Sequence, residues 1–414
     1  MSSLNQNSAS EQPSHTDDAK QAALDLLKSP ELMSKFLSTC RERYIGREKE
    51  LILVKLATIS RRFDRGLSMI ITGPSSVGKS ELIKTVLDTV PPEARQDFTR
   101  VTTNYLLYTD LELSHKVIIF NELNGSEETA HILRTALTEG TLRLGTVNKG
   151  ISGNLSAGEL SKSTAGLIVL STSTRSSIDH ELLTRIVVLE LSHDAELARQ
   201  VLKSKAARAA HGSSKGGELN KATISQGVTL SSSPAQASMA ILPRIWQIAD
   251  SLLEPLEIAI PYGDKLANLF PTHEERFMRD FDKVLTLIKA SALFHQFQRE
   301  KDSEERILAD KDDYKLIYDL SDFIVQTDSI PPHIITFIKV ADELKRTTGA
   351  EPSREAIQEK LKVSDATIKR YISKAYSKEL IEVCGKGKEQ IIRVSRVPES
   401  LSPLPTPSAL LDNL

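Results

Sequence analysis

Leu67 to Asp88, LSMIITGPSSVGKSELIKTVLD, is the stretch whose reading decides the fold. Leu67 to Thr72 is a short apolar run holding Ile70 and Ile71 between Gly66 and Gly73, which predicts a buried parallel strand. Gly73, Pro74, Ser75, Ser76, Val77, Gly78, Lys79 and Ser80 then match G-x-x-x-x-G-K-[ST], the loop whose glycines let backbone N–H groups close around phosphate oxygens. In such a loop Lys79 reaches the β- and γ-phosphates and Ser80 puts its hydroxyl on Mg²⁺. The helix from Lys79 onward aims its positive end at the anion. The expected cofactors are ATP and Mg²⁺.

Composition sets the remaining bounds. A chain of 414 residues is long enough for two or three compact domains, so the phosphate loop accounts for only part of it. With 40% apolar residues and a net charge of −2, bulk composition points to a globular protein and names no partner. Cys40 and Cys384 lie far apart and build neither a disulfide framework nor a four-ligand zinc site, as expected in a reducing cytoplasm. No apolar run has the length of a membrane span, so no membrane contact is expected.

Working outward, residues 1–18 are Ser-rich and polar and are expected to be a disordered leader. Residues 19–205 are expected to form the P-loop core with its N-terminal helices. From Ala22, Leu24, Leu27, Leu32 and Phe36 fall at helical spacing around a break at Ser29-Pro30. Ile45-Gly46-Arg47-Glu48 precedes a helix over Leu51 to Arg62. In many ring ATPases a turn at this place holds the adenine; a plain connector is the alternative reading. Beyond the loop, Phe98 to Tyr108 is expected as strand and loop. Val117 to Phe120 is a second apolar strand, and Asn121 and Glu122 stand at its C-terminal end, where parallel sheets bind ligands. The pattern resembles a Walker B strand, with Glu122 as catalytic base and metal-side acid. Asn121 replaces the usual first acid, so its amide oxygen accepts from metal-bound water without adding charge.

Glu127 to Glu139 is helical by pattern, Thr141 to Val147 alternates as a strand, and the Gly/Ser-rich span to Thr164 completes a hairpin. Its Arg143 and Lys149 either face a nucleic-acid strand or are simply solvated. A third strand, Ala165 to Leu170, leads to Ser171-Thr172-Ser173-Thr174, with Thr172 as the candidate polar sensor. Arg185 follows a helical turn and precedes a fourth apolar strand. Residues 206–238 are expected as a flexible linker or loop and 239–328 as a helical lid carrying Arg279. Residues 329–396 are expected as a winged helix-turn-helix. Positions 333–396 hold 14 Lys and Arg against 9 Asp and Glu, so positive charge collects at this end. Its third helix presents Lys369, Arg370 and Lys374, and the turn between two strands carries Lys386 and Lys388, a pattern for DNA in a groove and along phosphates. The same fold also serves as a protein-interaction module. Residues 397–414 are expected as a loose tail.

Taken together the parts resemble ring-forming ATPases of the AAA+ class. KVIIFNELNG, LTEGTLRLGTVNKG, STSTRSSIDHELLTRIVVLEL and MRDFDKVLTLIKASALFHQ resemble the helicase-like halves of primase–helicase proteins carried by phages, plasmids and integrative elements. The resemblance implies Lys79 and Ser80 on phosphate and Mg²⁺, Glu122 as Walker B acid, Thr172 as first sensor, Arg185 as arginine finger and Arg279 as second sensor. It implies an α/β fold with a parallel P-loop sheet, a helical lid and a C-terminal winged helix. It also implies action on single- or double-stranded DNA as a homo-oligomer, a hexameric ring, with a separate primase as possible partner. A DNA-binding switch or initiator governed by ATP, and an ATP-driven protein remodeller, are the alternatives from other classes.

Overall fold

The computed structural model describes residues 15–98, 105–120, 127–149, 155–173, 180–210, 234–270, 277–324, 332–377, 380–385, 387, 390–395 and 404–411. They fall into two compact units, Met1–Pro261 with Asp282–Tyr314, and Tyr262–Phe281 with Lys315–Leu414.

In chain order the first unit contains α1 (His15–Leu27), α2 (Leu32–Arg41), α3 (Glu48–Ser60), β1 (Met69–Thr72), α4 (Lys79–Leu87), β2 (Arg95–Phe98), α5 (Tyr105–Tyr108), β3 (Val117–Phe120) and α6 (Glu127–Glu139). It continues through β4 (Thr141–Lys149), β5 (Leu155–Ser163), β6 (Ile168–Ser173), α7 (His180–Leu183), β7 (Val187–Glu190), α8 (Ala195–Ala210), α9 (Pro234–Leu252) and β8 (Ile258–Ala259). A five-stranded parallel sheet runs in the order β2-β3-β6-β1-β7. β1, β3 and β6 are buried between neighbours on both sides, which is why Met69 to Ile71, Val117 to Phe120 and Ile168 to Leu170 read as apolar runs. The hairpin β4–β5 stands apart, paired in antiparallel register from Thr141↔Ser163 to Lys149↔Leu155. Leu142 is buried in the cluster that Leu144 and Leu160 pack against, whereas Arg143, Gly145 and Glu159 on the other face are exposed. Helix α3 is buried over Leu51 to Ser60 on every face, so it is an interior helix with no solvent stripe.

Helix α10 (Gly263–Leu269) opens the second unit, and the chain crosses the division within α11 (Phe277–Phe294) and again, after β9 (Ile307–Leu308), within α12 (Lys311–Asp319). α13 (Ser321–Ile324), α14 (Pro332–Thr348), α15 (Arg354–Leu361), α16 (Asp365–Ser377), β10 (Ile381–Cys384), β11 (Ile391–Val394) and α17 (Pro407–Leu411) complete it. α14, α15 and α16 enclose one core through Phe337, Ile338, Ile357, Ile368 and Ile372, closed by Ile381 and Ile392 of the antiparallel pair β10–β11. Ser353 caps α15, its hydroxyl accepting the Ala356 N–H at 3.2 Å, and Lys362 ends that helix at φ 54.

Several local expectations change. Helix α1 begins at His15, inside the supposed leader, with Asp17 and Asp18 in its first turn facing the helix dipole favourably. The described strand runs up to Phe98, and Tyr105–Tyr108 of the expected strand and loop is helical: Arg95–Phe98 is an edge strand with polar, partly exposed positions, so it lacks the apolar run that marks its neighbours. Ser171, Thr172 and Ser173 lie within β6, because its pairing with β1 extends to Thr72↔Ser173. Within 206–238, α8 continues to Ala210 and α9 starts at Pro234, a residue suited to a first helical turn. The span 239–328 is not wholly helical, since β8 and β9 pair in parallel through Ile258↔Ile307 and Ala259↔Leu308. Of the expected tail, Leu404, Leu410 and Leu411 are buried, and α17 packs against α10.

Candidate functional site

β1 delivers the chain into the loop Gly73 to Gly78, and α4 leaves it. Gly73 sits at φ 137, where a Cβ would overlap the Leu191 carbonyl oxygen at the end of β7, so this position tolerates no side chain. Gly78 is the N-cap of α4 at φ 94 and offers no capping side chain, which leaves the first N–H groups of the helix open to an anion. Ser76 holds a left-handed φ of 65, a conformation concentrated at ligand-gripping turns. Lys79 is buried, and its ammonium donates to the carbonyls of Gly73 at 2.8 Å and Pro74 at 2.7 Å. Burial pushes the Lys79 pKa down from its ordinary value. Pro74, Ser75, Ser76 and Ser80 are exposed, with Val77 and Gly78 half-buried between them. A phosphate entering this loop meets open N–H groups, a lysine already inside the ring, and a free-standing Ser80 hydroxyl for a metal.

The turn between α2 and α3 forms a strap beside the loop. Arg43 reaches α4, donating to Glu81 at 2.6 Å and pairing with Asp88. Tyr44 packs against Gly78, and Arg47 donates to the Ser192 carbonyl oxygen at 2.5 Å. Gly46, at φ 72, presses on Leu197 of α8. Motif spacing missed all of these pairings; a left-handed Gly46-Arg47 pair directly before a helix was the available signal.

Sheet register places the other candidates. Thr172 pairs with Ile71 and is buried, one strand from the loop. Phe120 at the end of β3 pairs with Ser171. Asn121 and Glu122 follow it and lie outside the described residues, as do Lys386 and Lys388. Arg185 donates to Thr138 Oγ1 at 2.9 Å on α6 and lies 3.8 Å from Glu181, which also pairs with Arg134. In the single chain Arg185 is thus held against its own subunit. Arg279 is exposed at the start of α11 and belongs to the second unit.

On α16, Lys369, Arg370 and Lys374 are exposed on one side. Lys369 pairs with Asp365 at 2.9 Å, and Asp365 also takes the buried Arg354, whose Nη1 donates to the Gly387 carbonyl at 3.3 Å. Arg354 therefore ties the start of α16 to the turn between β10 and β11. Sequence spacing gave no sign of it.

Among the described residues no group of His, Cys, Asp or Glu is arranged to hold a metal by itself, and no helix is long and apolar enough to cross a membrane. Comparison with family models matches residues 16–225 to the MTBMA_p00010 P-loop domain. No curated protein matches the chain.

Proposed function

We propose, from the premise that the chain belongs to the MTBMA_p00010 P-loop domain family, that it is an ATP-hydrolysing AAA+ motor acting on DNA in the replication of a mobile genetic element, helicase-like in action. The observation that carries the nucleotide part is the loop itself: open N–H groups at the start of α4 with the Lys79 ammonium among the loop carbonyls. In this reading Lys79 moves from Gly73 and Pro74 to the β- and γ-phosphates. Ser80 and Glu122 would hold Mg²⁺, which would neutralise phosphate charge, and Glu122 would orient and deprotonate the attacking water. Asn121 and Thr172 complete the site, and Arg185 serves a neighbouring subunit of a hexameric ring. A cytoplasmic location fits this role.

The DNA part rests on the exposed cations of α16 beside the β10–β11 turn, read as a winged helix. The hairpin β4–β5, with Arg143 on its solvent face, is read as a second DNA-binding element. The compact basic C-terminal fold equally favours an ATP-switched initiator that holds a duplex site and hydrolyses to let go. The deciding assay is the ATPase rate with and without single-stranded DNA, beside strand separation. Stimulation with unwinding supports the motor; duplex binding without unwinding supports the initiator. Lys79→Ala should remove nucleotide binding, whereas Glu122→Gln should bind ATP without turning it over. Native turnover by Glu122→Gln would place the base elsewhere.

A further inference from the structure

We propose that Tyr44 is a further ligand-binding residue of the P-loop, its hydroxyl donating a hydrogen bond to a phosphate oxygen of a nucleoside di- or triphosphate. This deepens the nucleotide reading above and rests on it.

Tyr44 is wound onto the end of α2, its N–H donating to the Cys40 carbonyl at 2.8 Å. Its neighbour Arg43 fastens that end to Glu81 and Asp88 of α4. The phenol is therefore carried to the start of the P-loop helix. Its side chain is packed, with the residue 7% exposed. The hydroxyl comes within 2.9 Å of the position a Cβ on Gly78 would take, with ring carbons at 3.5 and 3.6 Å. Gly78 thus lacks a side chain for two reasons, its φ of 94 and the phenol standing over it.

Among the described residues the Tyr44 hydroxyl makes no hydrogen bond. The ring is packed, but the hydroxyl is not among the buried unpaired side-chain atoms, so its O–H opens to solvent beside the loop and is accessible to a ligand. Here the hydroxyl stands beside the open N–H groups at the start of α4, and the complement of several converging donors is an anion oxygen. Burial pushes the Tyr44 hydroxyl up to about 12, so at neutral pH the group keeps its proton and acts as a donor.

Tyr44→Phe in the full chain keeps the ring and its packing on Gly78 and removes only the O–H. The measurements are titrations with a fluorescent ADP analogue and with inorganic tripolyphosphate, plus urea unfolding followed at Trp246. The expected result is roughly tenfold weaker binding of both probes, the size of one hydrogen bond to a charged acceptor, with the urea midpoint unchanged. Native affinity for both probes, in the presence of a clear loss in Lys79→Ala, would overturn the proposal and leave the P-loop reading standing. Weakened nucleotide with native tripolyphosphate binding would overturn it too, placing the bond on sugar or base. A native chain that binds neither probe would overturn the P-loop reading and this proposal with it.

Discussion

Asp250→Asn should be among the most damaging single substitutions in the first unit. The Asp250 carboxylate is fully buried and faces three cations: Arg61, Lys55 at 3.6 Å and Arg62 at 3.2 Å. Burial opposes its ionisation, but the three cations outweigh that and hold its pKa below the usual carboxylate range. The Lys55 ammonium also donates to Thr89 Oγ1 at 3.1 Å and lies between the rings of Phe36, Trp246 and Phe294, at 5.6, 5.9 and 5.6 Å from their centres. Asparagine keeps the volume and removes the charge, leaving three buried cations around a neutral amide. Breaking a buried ion pair from one side costs about 3–5 kcal/mol, which corresponds to roughly 10 °C in a unit of this size. The chain's single tryptophan, Trp246, sits in this cluster, so its fluorescence during urea or thermal unfolding reads the affected unit directly. The pH dependence has a definite sign. A carboxylate held below its unfolded value of about 3.9 stabilises above that pH, and this stabilisation disappears as pH falls through the folded value. The gap between native and Asp250→Asn should therefore be full at pH 6 and narrow below about pH 4. A loss under about 1 kcal/mol at pH 6, or a gap that does not narrow in acid, would refute the reasoning.

If Arg185 acts between subunits, an Arg185→Ala chain mixed with a Lys79→Ala chain should regain ATPase activity at shared interfaces; co-assembly on a sizing column without recovery would assign Arg185 to its own Glu181 and Thr138. Replacing Arg370 and Lys374 with Ala should weaken duplex DNA binding and lower the salt slope by about 0.9 for each phosphate no longer neutralised. Lys369→Ala should do less, because Asp365 already partners that charge; equal effects in a salt titration would contradict this. Burial pushes the Cys40 thiol up to about 12, while Cys384 is exposed, so a thiol reagent should label one cysteine in the native chain and two in urea. Leu410→Asp should destabilise the second unit by roughly 2–4 kcal/mol, since it places a charge where a fully buried leucine packs, and unchanged protease resistance of residues 262–281 would argue against that packing.

The phosphate loop was legible because its chemistry is local: Gly73, Gly78, Lys79 and Ser80 must follow one another closely to surround one anion, and the strand and helix beside them carry their own periodicity. The buried strands β1, β3 and β6 and the hairpin β4–β5 were legible for the same reason. Edge strand β2 was misplaced because a strand with one neighbour needs no apolar run. The packing of Leu404, Leu410 and Leu411 was hidden because two or three apolar residues do not reveal their destination.

Residue order alone establishes that this chain has a P-loop, since backbone geometry at closely spaced positions suffices to build a phosphate cradle. What surrounds that cradle is settled only in three dimensions. Tyr44 meets Gly78, Arg43 meets Glu81 and Asp88, and Arg61 meets Asp250 across a separation of 189 residues. Such pairings depend on the order β2-β3-β6-β1-β7 and on how α2, α3 and α9 stack around it. Long-range pairings of this kind leave no fixed spacing in the chain, because any loop length that lets the two ends meet satisfies them.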